Sequence, residues 1–167
     1  MTFDQEISEQ ISRFLLTGGH TVSVAEDVTS GLLQFSFSLM QNAPLFYNGG
    51  ITAYTAEEKV RLLNLPQTEV RNCSCVSERI AGAMVLRAAE LFGTDWAIGV
   101  TGHGSPVRGA GFRMFMVFSV VFNGTVLTIQ RMELDPATQQ AEVQFNYTQY
   151  ILEQFRDLLE NQLQSSA

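Results

Sequence analysis

The chain has 167 residues, 46% of them hydrophobic, which suits one ordinary domain with its own core and excludes a disordered chain. Seventeen acidic residues against ten basic ones give a formal net charge of −7, a poor balance for gripping a polyanion, so nucleic acid is set aside as a partner. No apolar run approaches the ~20 residues of a membrane span, and the acidic start Met1-Thr2-Phe3-Asp4-Gln5-Glu6 lacks the basic region of a signal peptide, so the expected location is the cytosol.

Ile7, Ile11, Phe14 and Leu15 recur at helical spacing, and Gly18-Gly19 ends that first helix. Thr21 to Ala25 reads as a short strand. A second helix is expected from about Ser30 to Met40; Leu32, Leu33, Phe35, Phe37 and Leu39 give it apolar residues on several sides, which predicts cover by more than one element. Leu45 to Tyr54 reads as a strand interrupted at Gly49-Gly50. Thr55-Ala56-Glu57-Glu58 is a capping box that starts a short helix, limited by Pro66.

Ser77 is a cap for the next helix, which carries Ile80, Ala81, Met84, Val85, Ala88 and Phe92 and stops at Gly93. Ala97 to Val100 is a short strand, and Trp96 beside it belongs to the core. Phe112 to Phe122 and Thr125 to Met132 form a hairpin across Asn123-Gly124. Asp135-Pro136 is read as the cap and first position of the last helix, whose stripe is Val143, Tyr147, Tyr150, Ile151, Phe155, Leu158 and Leu159; Ser165-Ser166-Ala167 is expected to fray. Early alternation of strand and helix followed by a late hairpin predicts a single α/β domain over 1–167, with a mixed sheet covered by helices.

Cys73 and Cys75 are separated by one residue, too close for an unstrained bridge, and read as ordinary thiols of a reducing compartment. The two histidines, His20 and His103, stand at no ligand spacing, so no metal and no cofactor are expected.

Three segments carry the candidate chemistry. Val24-Ala25-Glu26-Asp27-Val28-Thr29-Ser30-Gly31 is a strand-to-helix turn, where exposed amides favour an anion. Asp27 there is either a helix cap or a base toward water. Glu26 orders the turn or contacts a ribose, Thr29 caps or meets a phosphate, and Ser30 and Gly31 set how closely a ligand approaches the backbone. In Gly50-Ile51-Thr52-Ala53-Tyr54-Thr55-Ala56-Glu57-Glu58-Lys59, the residues alone give Lys59 the plain reading of an exposed helical lysine, and the candidacy of Tyr54 and Lys59 rests on a family resemblance. The loop Thr101-Gly102-His103-Gly104-Ser105-Pro106 and the glycine-rich Val107-Arg108-Gly109-Ala110-Gly111 after it are a candidate phosphate nest, with Arg108 or Arg113 to add charge; His103 is a candidate acid–base group.

In order, these segments resemble the C-terminal domain of the CinA family, whose active members are nicotinamide mononucleotide amidohydrolases. The resemblance covers about residues 5 to 160 and implies a three-layer α/β/α sandwich, standing alone where longer members carry a further N-terminal domain. The family's first segment is Ala-Glu-Ser-Cys-Thr-Gly-Gly, with its serine as nucleophile; Asp27 stands at that place here. The family's general base corresponds to Lys59, five residues after Tyr54. Ser30 replaces the first glycine of the pair, and Ser105 replaces a glycine before Pro106. If Asp27 and Lys59 meet, the expectation is an ion pair in place of a nucleophile–base dyad.

The leading expectation is therefore a catalytically degenerate CinA-type domain that keeps at most a pocket for a pyridine mononucleotide or related phosphorylated small molecule. Two alternatives stand beside it. One is an active amidohydrolase that uses Thr29, Ser30 or an Asp27-activated water to form nicotinic acid mononucleotide and ammonia. The other is a scaffold for a homo-oligomer, the assembly that the resemblance implies.

Overall fold

A computed structural model describes residues 2–72 and 75–165. The expectations for Cys73, Ser166 and Ala167 lie outside the described residues. Strands β1 (Val22–Glu26), β2 (Tyr47–Thr52), β3 (Trp96–Gly102), β4 (Met114–Phe122) and β5 (Thr125–Leu134) form one sheet in the order β2-β1-β3-β4-β5. β2, β1 and β3 are mutually parallel, while β4 and β5 continue the sheet antiparallel. The sheet is mixed, as expected.

Helices cover both faces. Helices α1 (Gln5–Gly18), α2 (Leu32–Ser38) and α6 (Gln140–Ser165) share one core with Val22, Val24, Trp96, Ile98 and Val100. Helices α3 (Ala56–Leu63), α4 (Gln67–Asn72) and α5 (Glu78–Phe92) lie opposite; their Leu63, Val70, Ile80 and Met84 pack with Ala25 and Ala97. The division follows strand alternation, which sends successive side chains to opposite faces. Gly99 lets α5 approach closely: a Cβ there would lie 2.7 Å from the Val85 nitrogen and 2.8 Å from the Ala81 carbonyl oxygen. Trp96 is fully buried, stacked on Phe122 with ring centroids 4.3 Å apart.

Most punctuation signals act as read. Gly19 and Gly93 end α1 and α5 in the left-handed region. The Thr55 side chain accepts from the Glu58 amide and Ser77 from the Ile80 amide. Asn123 and Gly124, with φ of 47° and 76°, form the two-residue hairpin turn.

Two readings are corrected, and one helix is additional to those expected. Helix α2 has only seven residues and begins at Leu32; its Leu33 and Phe37 are buried, but Phe35 and Leu39 remain exposed in the single chain rather than covered. The last helix begins at Gln140, not at Pro136, because the Asp135 carboxylate accepts from the Ala137 amide and closes a separate turn. Helix α4, six residues after Pro66, carries no periodic stripe long enough to announce it. No helix among the described residues is long and apolar enough to cross a membrane.

Candidate active site

The topology fixes where the site lies. From β1 the chain crosses by α2 to β2 on one side, then returns through α3, α4 and α5 to β3 on the other. The ends of β1 and β3 thus bound a switch point, the place where open α/β sheets leave a crevice. Asp27 follows β1, Thr101 and Gly102 close β3, and Tyr54 follows β2.

Glu26 and Asp27 are consecutive acids that turn to opposite faces. The Glu26 side chain is wholly buried toward α2, where it accepts from the Leu33 amide at 3.3 Å, the Gln34 amide at 3.1 Å and the Thr29 hydroxyl. These are amides of the first turn of α2, which otherwise lack a partner. The reading of Asp27 as the cap of this helix is therefore corrected: Glu26 does that work from the strand, and Gly31, with φ 93°, occupies the capping position without a side chain. Through these bonds Glu26 ties the turn to the start of α2. Thr29 is equally buried, its hydroxyl committed to Glu26. Ser30 sits in the left-handed region at φ 50°, its hydroxyl donating to the Asp27 carbonyl at 3.4 Å.

Asp27 is 4% exposed and Lys59 only 2%, and the two form a direct ion pair through Asp27 Oδ2. Reading Lys59 as an exposed helical lysine is thereby corrected. The position follows from α3, whose Lys59 and Leu63 make up its buried face. Thr101 Oγ1 lies 2.8 Å from Asp27 Oδ2 and 2.7 Å from the Cys75 carbonyl oxygen, which also accepts from Lys59 Nζ at 3.3 Å. Asp27 Oδ1 accepts from the Gly102 amide at 3.1 Å and from the Val28 amide. The Gly102 and Val28 amides and the Lys59 ammonium donate to the carboxylate, while the single Thr101 hydroxyl proton lies between Asp27 Oδ2 and the Cys75 carbonyl oxygen. Burial pushes the Asp27 carboxyl above its ordinary value of 3.8, opposed by Lys59, Thr101 and Val28.

A cleft of about 220 Å³ opens above this cluster. Asp27, Val28, Tyr54 and Gly102 line it from the strand ends; His103, Gly104, Ser105 and Val107 line it from the loop. Gln140 and Gln144 complete it from the first turns of α6. Tyr54 is 64% exposed at the cleft. His103 is half-buried, its ring edge-on to Phe115, and burial holds its imidazole below the ordinary 6.5; Lys59 and Arg131 add to that and Asp27 opposes it. The Tyr147 hydroxyl donates to the His103 carbonyl at 3.3 Å and so ties the loop to α6.

The structure therefore brings Asp27, Lys59, Thr101 and Gly102 into one contact cluster and sets Tyr54, His103 and Ser105 around its mouth. Glu26 and Thr29 lie in a separate buried cluster behind the turn. Ser30, Gly31 and the exposed Arg108 are not among the residues lining the cleft. Sequence reasoning missed Gln140 and Gln144; their signal is a polar i, i+4 pair flanking the buried Val143 and Tyr147. It also missed the Cys75 carbonyl, a backbone acceptor that no side-chain motif marks. The Cys75 thiol donates to the Val70 carbonyl at 3.2 Å and has the packed character expected of it.

Comparison with known proteins places this geometry in context. Residues 4–159 match the family described as the CinA C-terminal domain. A CinA-like protein of Synechocystis sp. is 34% identical over 106 residues, 64% of this chain and 26% of its own length. A CinA-like protein of Chlorobium chlorochromatii is 29% identical over 148 residues, 87% of this chain and 35% of its own. The chain thus spans about a quarter to a third of these relatives. Among solved structures, competence damage-inducible protein A of Klebsiella pneumoniae superposes with a TM-score of 0.87 at 24% identity, covering 95% of this chain and 98% of that one. A CinA superfamily protein of Escherichia coli gives 0.86 at 24% identity, over 92% and 89% of the two chains. At such identities the structures establish the fold alone.

Proposed function

The chain belongs to the CinA C-terminal domain family, and from that premise we propose a CinA-type domain that is silent as an amidohydrolase and keeps its cleft for a small phosphorylated ligand of the pyridine mononucleotide class. The observation that carries this reading is the buried ion pair of Asp27 and Lys59 at the place where the family pattern puts a serine and its base.

A serine attacks an amide carbonyl when a neutral base takes its proton. Here Lys59 Nζ is held against the Asp27 carboxylate and the Cys75 carbonyl instead of against the hydroxyl of a nucleophile. Attack on an amide by the carboxylate itself would yield an anhydride and expel a poor leaving group. Water activation needs an Asp27 lone pair facing the cleft, whereas donors meet both oxygens. Thr29 and Ser30 do not substitute, since both hydroxyls are engaged away from the cleft.

Ligand retention is supported by the cleft itself, which the small residues Gly102, Gly104 and Ser105 border with Gln140, Gln144 and His103 at its wall. The cytosolic setting and the homo-oligomer belong to the same proposal. The exposed Phe35 of α2, Leu39 at its C-cap and Leu45 nearby supply the apolar surface an assembly would bury. The test is a thermal titration with nicotinamide mononucleotide beside an ammonia-release assay of the unmodified chain. Saturable stabilisation without ammonia is expected. Ammonia release that Lys59→Ala abolishes would overturn the silent-enzyme reading, and no response to any pyridine mononucleotide would remove the ligand.

A further inference from the structure

We infer that the Val28 and Gly102 amides and the Lys59 ammonium together form a carboxylate-binding hole that the chain fills with its own Asp27, and that emptying the hole creates a site for small free carboxylates such as formate and acetate. The inference rests on the proposed reading for the place of the site, not for its mononucleotide ligand.

Two backbone amides from different strand ends converge on one oxygen, Asp27 Oδ1: Gly102 from the end of β3 and Val28 from the turn after β1. A cation and a hydroxyl converge on the other, Oδ2. Paired amides aimed at a single oxygen are the arrangement that stabilises an oxyanion. The donors are held by elements that do not depend on the Asp27 side chain. Gly102 is fixed in the β3–β4 ladder opposite Met116, and a Cβ at Gly102 would lie only 2.8 Å from the Met116 Cβ. Lys59 is anchored independently by the Cys75 carbonyl. Removing the carboxylate would leave two amides, a hydroxyl and a buried ammonium around a void that opens on the cleft, since Asp27 and Gly102 both line it.

The occupant is thus chemically specified. It is a monoanion with two geminal oxygens, small enough to replace a side chain beyond its Cα, and it enters through the cleft. Asp27 also shuts this end of the cleft against any ligand that presents a carboxylate there, by occupying the donors and by like charge. A neutral carboxamide meets no such repulsion.

Asp27→Gly tests this. The variant is expected to melt below the parent, and sodium formate or acetate is expected to raise its Tm saturably, by about 3–6 °C at ten times the dissociation constant. Sodium chloride at equal ionic strength and neutral acetamide should not reproduce the rise. Neither the parent nor Asp27→Gly/Lys59→Met should respond. If Asp27→Gly does not fold in buffer, folding in formate but not in chloride is the supporting result, and Asp27→Ser is titrated in the same way. No formate-specific rise in either variant, or an equal rise with chloride, would overturn the hole. Its failure alongside ammonia release by Asp27→Ser would leave the proposed function standing; a formate response in a protein that binds no pyridine mononucleotide would do the reverse.

Discussion

At the scale of residues, the site turns on how two adjacent acids divide their labour. The spelling Glu26-Asp27 does not reveal which acid caps α2, because either carboxylate lies near a helix start. The strand's alternation decides it, sending Glu26 toward α2 and Asp27 toward α3 and β3. The partner was marked only by the family resemblance, which matches Lys59 five residues after Tyr54; its burial follows from its place on the inner face of α3 with Leu63. Since the pair is buried, removing one member leaves an uncompensated charge. Lys59→Met is expected to cost about 3–5 kcal/mol in urea unfolding, with much of the loss regained in Asp27→Asn/Lys59→Met. A loss below about 1 kcal/mol would mean that the pair is solvated.

His103 gives a pH dependence of defined sign. Its folded value lies below 6.5, so the native chain prefers the neutral ring. The stability it contributes is complete above 6.5 and is lost as pH falls through the folded value. Asp27, whose value is raised, acts in the opposite direction, through a window that begins near 3.8. The His103 contribution therefore emerges from comparison with His103→Asn: between about pH 8 and pH 5.5 the parent should lose more stability than the variant. Equal slopes would contradict the desolvated environment assigned to His103.

Among the elements, α2 depends most on a residue outside itself. It has seven residues, a glycine at its N-cap and no capping side chain of its own, so the Glu26 carboxylate supplies what the helix lacks. Glu26→Ala would leave the Leu33 and Gln34 amides and the Thr29 hydroxyl without this acceptor. It is expected to cost about 1–3 kcal/mol and to speed amide exchange in α2 before α1 or α6. Uniform exchange across all three helices would argue against a local cap. The elements with self-contained signals were the legible ones: the Thr55 and Ser77 caps, the glycine stops and the Asn123-Gly124 turn each act within a few residues. Asp135-Pro136 misled because an aspartate closes a local turn as readily as it caps a helix, and here Ala137 takes its carboxylate.

For the whole molecule, the parallel trio β2-β1-β3 creates the crevice and the antiparallel pair β4-β5 extends the sheet away from it. Fold class was legible because alternation of strand and helix implies a parallel core, and the three motif segments of the candidate site fall at its strand ends. The α6 wall of the cleft, Gln140 and Gln144, was not, since it joins the site only after the last helix packs across the sheet. Under the proposed function this frame is intact and the Asp27 side chain alone silences it. The measurement that bears on it most directly is ammonia release from nicotinamide mononucleotide by Asp27→Ser beside the parent. Release by the variant alone, lost again in Asp27→Ser/Lys59→Ala, is the predicted result. Release by the unmodified chain at a rate matching Asp27→Ser would contradict the account, since Asp27 would then not be what silences the site.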